Sequence, residues 1–262
     1  MGTSDLITDA VTTVADATAC LPTPPARLPR PALFLDMDGV LAPLAATPDA
    51  VVPEPGRTAV IRNMAQRLSG RVAIISGRTI AEIDRIAERA AAAASGIHGL
   101  ERRRADGSLD YSEADPAVQK AVAAFRVFAE TRPGIIVEDK ALSAGLHFRQ
   151  AEQEAEAVAA LAARLADETG LSLQSGNLVV ELKTPGTNKG TALTAFMAET
   201  PFKGSIPVMV GDDLTDEDGF RAATAFGGFG VLVGPGRATA ARYGLPDVEA
   251  VLAWLNAVEE TL

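Results

Sequence analysis

Residues 33–39 read LFLDMDG. An apolar run stops at two aspartates one residue apart, and a glycine follows. Bounded by Pro31 and Gly39, the run has the length of a strand buried on both faces. Such a strand belongs inside a sheet that is covered on both sides. Its two carboxylates then sit where the sheet opens, outside the carboxyl end. The pattern recurs: VAII ends in Ser76, and VMVG ends in Asp212 and Asp213. Amphipathic segments lie between the runs. Residues 54–69 read as a helix stopped by Gly70. Residues 79–94 read as another, with Thr79 and Glu82 at the spacing of a capping box. SGIHG, at 95–99, reads as the end of a third strand. This alternation predicts an α/β fold, a doubly wound parallel sheet.

The rhythm changes after about Arg104. From there to Pro185 the reading is turn, helix, two strands, helix, two strands, an inserted α+β unit with its own small sheet. GIIVEDK and ALSAGLHFR read as antiparallel neighbours, as do LSLQSG and NLVVELK. The α/β rhythm then resumes and closes on a helix over 246–262, with Trp254 and Leu255 in the core. The division is 1–103 with 186–262 as the core domain and 104–185 as an inserted cap domain. Ahead of the first strand, LPTPPARLPRP reads as an extended, proline-rich arm.

Lys and Arg number 24 against 34 Asp and Glu, a formal net charge of −10. That excludes a general nucleic-acid binder, which needs a basic footprint, and offers nothing to anionic lipid. An anionic ligand has to find a local positive pocket. One cysteine, Cys20, forms no intrachain disulfide and reads as a free thiol. The first twenty residues lack a basic segment followed by an apolar core, so they do not read as a secretory signal. No apolar run approaches a membrane span. A cytoplasmic monomer acting on a small molecule is expected.

If the strands ending in Asp36, Ser76 and Asp212 are neighbours, their polar ends converge. Converging carboxylates raise one another's pKa unless a cation is present. Mg²⁺ is the sensible one: hard, oxygen-seeking, with waters that a phosphate can displace. Asp38 before Gly39 fits a turn, but a turn does not explain Asp36. Asp216 also reads as a helix cap. Lys189 heads a helix, where it opposes the macrodipole, so a functional role is expected. With Ser76 and helix amides it makes an anion cradle.

These residues resemble the haloacid dehalogenase-like phosphotransferases. DMDGVL is similar to their first motif, Ser76 to the second, Lys189 to the third and GDDLTDED to the fourth. The insertion lies where that superfamily carries its second type of cap. ISGR, HGLE, VEDKALSAGLHFR, VVELK, GTNKG and GDDLTDEDGF together resemble trehalose-6-phosphate phosphatases, over about residues 32–255. One departure is Val40, where the motif usually has threonine. The resemblance implies that Asp36 is the nucleophile, forming an aspartyl-phosphate, and that Asp38 is the general acid and then base. Ser76 and Lys189 hold the phosphate. Mg²⁺ binds Asp36, the Asp38 carbonyl and Asp212, with Asp213 and Asp216 as support or water-mediated ligands. Gly77, Arg78 and His98 join the substrate site. A trehalose-6-phosphate synthase would precede such an enzyme. The alternatives are a phosphatase of another sugar phosphate, such as sucrose phosphate, a phosphosugar mutase, or a non-catalytic phosphosugar sensor.

The inserted strands place charges two apart. Glu138 and Lys140 share a parity, as do His147 and Arg149, and Glu181 and Lys183. The insertion is therefore expected to pack one sheet face on its helices and turn the other, polar, face toward Asp36. Mixed acids and bases suit the hydroxyls of a disaccharide, each of which donates and accepts.

Overall fold

The computed structural model describes residues 21–261. Cys20, the readings of the first twenty residues and Leu262 lie outside them. The chain opens with β1 (Arg27–Pro29) and β2 (Pro31–Leu35), then α1 (Pro55–Arg67), β3 (Val72–Ile75), α2 (Ile80–Ala87) and β4 (Ala93–Gly96). A hairpin follows, β5 (Glu101–Arg103) and β6 (Leu109–Tyr111). Next come α3 (Ala117–Ala129), β7 (Ile136–Asp139), β8 (Ser143–His147), α4 (Ala155–Thr169), β9 (Ser172–Gly176) and β10 (Val179–Lys183). The last part holds α5 (Lys189–Met197), β11 (Ile206–Gly211), α6 (Glu217–Ala225), β12 (Phe229–Val233), β13 (Tyr243–Leu245), α7 (Val248–Ala257) and β14 (Glu259–Thr261).

The large sheet has eight strands in the order β13-β12-β11-β2-β3-β4-β5-β6. It is parallel from β13 to β4 and antiparallel in the β5–β6 hairpin at its edge. All five residues of β2 are buried, as a central strand requires. Its alternate side chains feed two cores. Leu33 and Leu35 pack with Ile61 and Met64 of α1, Ile83 of α2 and Leu255 of α7. Ala32 and Phe34 pack on the opposite face with Leu193 and Phe196 of α5 and Phe220 of α6. Phe34 stacks on Phe202 at 5.4 Å between ring centroids. This is the doubly wound arrangement the alternation predicts. The chain runs outward from β2 in one direction and returns on its other side at β11. Side chains following β2, β3 and β11 therefore meet in the crevice where the strand order reverses.

A second sheet, β7-β8-β10-β9, is wholly antiparallel. One face carries Ala144, Leu146, Val180 and Leu182 against Val122 and Phe125 of α3 and Val158 and Leu165 of α4. No helix among the described residues is long and apolar enough to cross a membrane.

Local chemistry sets several boundaries. The Glu54 carboxylate caps α1 by accepting from the Gly56 and Arg57 amides, Pro55 fills the first turn, and Gly70 (φ 83°) follows the helix in left-handed backbone. The capping box at Thr79 and Glu82 forms as expected. Three expectations need correction. The helix read over 79–94 stops at Ala87, where Glu88 and Arg89 turn left-handed. Ala93 and Ala94 are instead a buried strand between β3 and β5, their small side chains entering opposite cores. Sheet packing overrides alanine's helix propensity there. The insertion does not begin at 104, because Leu109–Tyr111 pairs into the large sheet. The final helix ends at Ala257, and Glu259–Thr261 runs parallel to Arg27–Pro29. The proline-rich arm thus ends as a strand, tied down by Trp254 Nε1 donating to the Pro25 carbonyl at 3.1 Å. Trp254 and Leu255 are buried, as expected.

Candidate active site

Asp36 is the first residue beyond β2. Its Oδ1 accepts from the Met37 amide at 2.7 Å and its Oδ2 from Lys189 Nζ at 2.7 Å. The chain then turns tightly. Gly39 (φ 73°) has left-handed backbone, and a Cβ on it would lie 2.1 Å from Asp212 Oδ2. Only glycine lets the two loops approach this closely. Val40 is wholly buried in the core beneath the loop, where a methyl group serves better than a hydroxyl.

Asp212 and Asp216 come from the loop after β11. Ligand atoms of Asp36, Asp212 and Asp216 all lie within 4.8 Å of one another. Asp216 is fully buried and accepts from Lys189 Nζ at 2.7 Å and from the amides of Asp212 and Asp213 at 3.1 and 3.0 Å. It therefore holds the loop and the lysine together. Lys189 lies at the start of α5, fully buried, with both carboxylates driving its pKa well above the ordinary lysine value. No cation or hydrogen-bond donor among the described residues serves the Asp212 carboxylate. Burial, reinforced by Asp36 and Asp216, raises its pKa to about 8. Burial likewise raises Asp36 to about 6, against the pull of Lys189. The donors are all oxygen and one carboxylate lacks a counter-charge, so the set fits a hard divalent cation.

Ser76, buried at the end of β3, and Gly77 and Arg78 line the adjoining wall. Arg78 holds Asp38 through two bonds of 2.7 Å. These groups open into a cleft of about 970 Å³, counting its mouth. Its roof is the polar face of the smaller sheet. Register aligns Glu138, Gly145, Glu181 and Gln174 in one row across four strands. Glu138 Oε2 bonds His147 Nε2 at 2.8 Å, and Lys140 Nζ lies 3.2 Å from Glu138 and 3.5 Å from Glu181. Glu181 also meets His98 Nε2 at 3.3 Å and accepts from Ser143 Oγ. Burial works against Glu181's charge, but Lys140 and His98 outweigh it and hold its pKa well below the usual carboxylate range. Burial lowers the pKa of His98 despite that contact.

The family model described as Trehalose-phosphatase matches residues 34–249. The chain is 38% identical over 234 residues to the trehalose-6-phosphate phosphatase of Escherichia coli K12, covering 88% of this chain and 87% of that one. The chain belongs to the trehalose-phosphatase family. Two solved structures show the same fold. The C-terminal domain of Candida albicans trehalose-6-phosphate phosphatase has TM-score 0.79 at 21% identity, covering 88% of this chain and 92% of that one. A phosphatase of the haloalkanoate (HAD) enzyme superfamily from Bacteroides thetaiotaomicron has TM-score 0.57 at 18% identity, covering 96% of this chain and 100% of that one. The fold is the haloacid dehalogenase-like one with an inserted cap, and this member of the trehalose-phosphatase family is a phosphatase.

Asp36, Asp38, Ser76, Gly77, Arg78, His98, Glu138, Lys140, His147, Arg149, Glu181, Lys189, Asp212 and Asp213 all line one cleft. Two residues stand elsewhere than expected. Lys183 is on the polar face but beyond the cleft, buried, and its Nζ donates to the Thr187 carbonyl. Asp213 turns its carboxylate away from the acidic cluster to the Leu214 and Asn177 amides. Sequence reasoning passed over Gln174, whose Nε2 lies 3.3 Å from His98 Nδ1, and Asn177. Both belong to the strand pair read without a charged signal at β9. The alternation Ser172, Gln174, Gly176 was the available clue.

Proposed function

We propose that this member of the trehalose-phosphatase family is a Mg²⁺-dependent phosphatase that hydrolyses trehalose 6-phosphate to trehalose and phosphate, working through an aspartyl-phosphate. The supporting observation is a single cleft with the Asp36–Lys189–Asp216 cluster at its floor and the Glu138–Glu181 row of the cap at its roof. The core, built on the eight-stranded sheet, supplies the chemistry. The insertion supplies the surface for the sugar.

Asp36, Asp212 and the Asp38 carbonyl would hold Mg²⁺, with Asp216 supporting the loop. When bound, the ion neutralises charge on the phosphoryl oxygens. In the first half-reaction an oxygen of Asp36 attacks phosphorus, the bond from phosphorus to the sugar oxygen breaks, and Asp38 gives its proton to that oxygen. In the second, Asp38 takes a proton from water as the water oxygen attacks phosphorus and the bond to Asp36 breaks. Lys189 orients Asp36, and Ser76 and the buried ammonium meet the phosphate's charge. Arg78 grips both oxygens of Asp38 and so fixes the carboxylate in place for both proton transfers. The mixed donors and acceptors of Glu138, Lys140, His147, Glu181 and Gln174 suit a polyhydroxyl sugar. Phosphate release from trehalose 6-phosphate and sucrose 6-phosphate, with Mg²⁺ and with excess chelator, tests the reading. Mg²⁺-dependent preference for the trehalose ester is expected. Full activity in chelator, or preference for the sucrose ester, contradicts it.

A further inference from the structure

The loop that bears the acidic cluster also grips the cap. Asp212 and Asp213 are consecutive, and Asp213 has extended backbone (φ −106°, ψ 172°), so their side chains diverge. Asp212 joins Asp36 and Asp216. Asp213 Oδ1 accepts from the Leu214 amide at 2.5 Å, and its Oδ2 accepts from the Asn177 main-chain N–H at 3.0 Å. Asn177 begins the two-residue turn joining β9 to β10, and Gly176, Asn177 and Val179 line the cleft. The other side of the same residue is held too: its carbonyl accepts from Arg149 Nη2 at 3.1 Å, and Arg149 Nη1 donates to the Ala45 carbonyl of the core. A Cβ on Gly176 would lie 3.1 Å from Asp213 Oδ2, so the turn sits close against the carboxylate.

We propose that Asp213 is a positioning residue that seats the 176–179 turn on the core and so sets the sugar end of the cleft, and that it is not a metal ligand. This rests on the reading of the chain as a sugar-phosphate phosphatase and names a residue behind its selectivity. The bond is charge-assisted and joins the turn that follows β9, an edge strand of the cap sheet, to the core. A single five-residue loop then fixes both Asp212 at the floor and the turn at the wall. A small phosphate ester needs only the floor. A disaccharide phosphate needs both.

Two variants remove the bond from opposite sides. Asp213→Asn keeps an oxygen for the Leu214 amide but sets an NH₂ against the Asn177 N–H. Asn177→Pro deletes the donor. Only Leu178 of the two turn residues has positive φ (58°), the type II pattern, which accepts proline at its first position. Losing a hydrogen bond to a charged group is expected to cost each variant about tenfold in kcat/KM on trehalose 6-phosphate relative to p-nitrophenyl phosphate, mainly through KM. The double variant should be no worse than the worse single one. In Asp213→Asn the Asn177 amide should exchange faster with solvent, while Mg²⁺ affinity by calorimetry stays within about twofold of wild type. Weaker Mg²⁺ binding with undiminished protection at Asn177 overturns the proposal, as does equal loss on both esters. If the wild-type chain does not hydrolyse trehalose 6-phosphate, the substrate reading fails, and the exchange and Mg²⁺ measurements still decide the role of Asp213.

Discussion

Arg78 holds both carboxylate oxygens of Asp38, Nε on Oδ2 and Nη2 on Oδ1, each at 2.7 Å. The guanidinium is itself buried and anchored by Nη1 on the Pro48 carbonyl at 3.0 Å. A planar fork fixes the carboxylate in position and angle, which a lysine cannot do. Arg78→Lys should therefore lower kcat by about tenfold, and Arg78→Met by about 10²-fold, within the range that acid–base help supplies. Steady-state rates on trehalose 6-phosphate check this. A normal kcat in Arg78→Met would remove Arg78 from the orientation of Asp38.

Lys189 is the counter-charge of the cleft floor. Removing one partner of a buried ion pair leaves an uncompensated charge. In chelator, Lys189→Met should be destabilised by roughly 3–5 kcal/mol in urea melts, with Mg²⁺ recovering part of it. Unchanged stability would mean that the carboxylates are not held in place by the lysine.

The acidic cluster also sets a pH dependence. Asp36 stands at about 6 and Asp212 at about 8, raised first by burial, against an ordinary 3.8. The folded chain thus keeps protons that the unfolded chain has already released. Stability contributed at low pH is lost as pH rises from about 4 through 6 and 8. The metal-free Tm should fall across that window. Mg²⁺ displaces these protons, so its stabilisation should be larger at pH 8 than at pH 5. Thermal melts with and without Mg²⁺ measure both trends. A metal-free Tm that climbs from pH 5 to 8 contradicts them.

The cap face gives a substrate-dependent prediction. Glu181→Gln keeps the shape but removes the charge that Lys140 and His98 face. Its kcat/KM on trehalose 6-phosphate should fall about tenfold or more, while p-nitrophenyl phosphate hydrolysis changes little. Lys183→Ala should discriminate less between the two esters, because Lys183 donates to the Thr187 carbonyl outside the cleft. Equal losses on both esters in Glu181→Gln would deny the cap face its role in reading the sugar.

The floor of the cleft was legible because carboxylates interrupt buried apolar runs, where a charge is costly. Asp36, Asp212 and Lys189 announce themselves against LFL, VMVG and a helix start. The two-sided packing of β2 was legible for the same reason. Ala93 and Ala94 were not, since local propensity favours helix and only the neighbouring strands make them a strand. The strands of the β5–β6 hairpin, three residues each, are too short to show a period, and the Glu259–Thr261 strand is fixed by a partner distant in sequence. Parity placed Glu138 and Glu181 on one face but does not report how far along a strand the cleft extends, which is why Lys183 was misplaced. The direction of Asp213 depends on a turn 36 residues upstream.

The central claim is that Asp36 attacks the phosphorus of trehalose 6-phosphate. Phosphate release from that ester in saturating Mg²⁺, compared between wild type and Asp36→Asn, tests it most directly. The amide is isosteric but not a nucleophile, so a loss on the order of 10⁴-fold or more is expected, with the wild-type rate abolished by chelator. Substantial Mg²⁺-dependent release by Asp36→Asn, or none by the wild-type chain, would contradict the account.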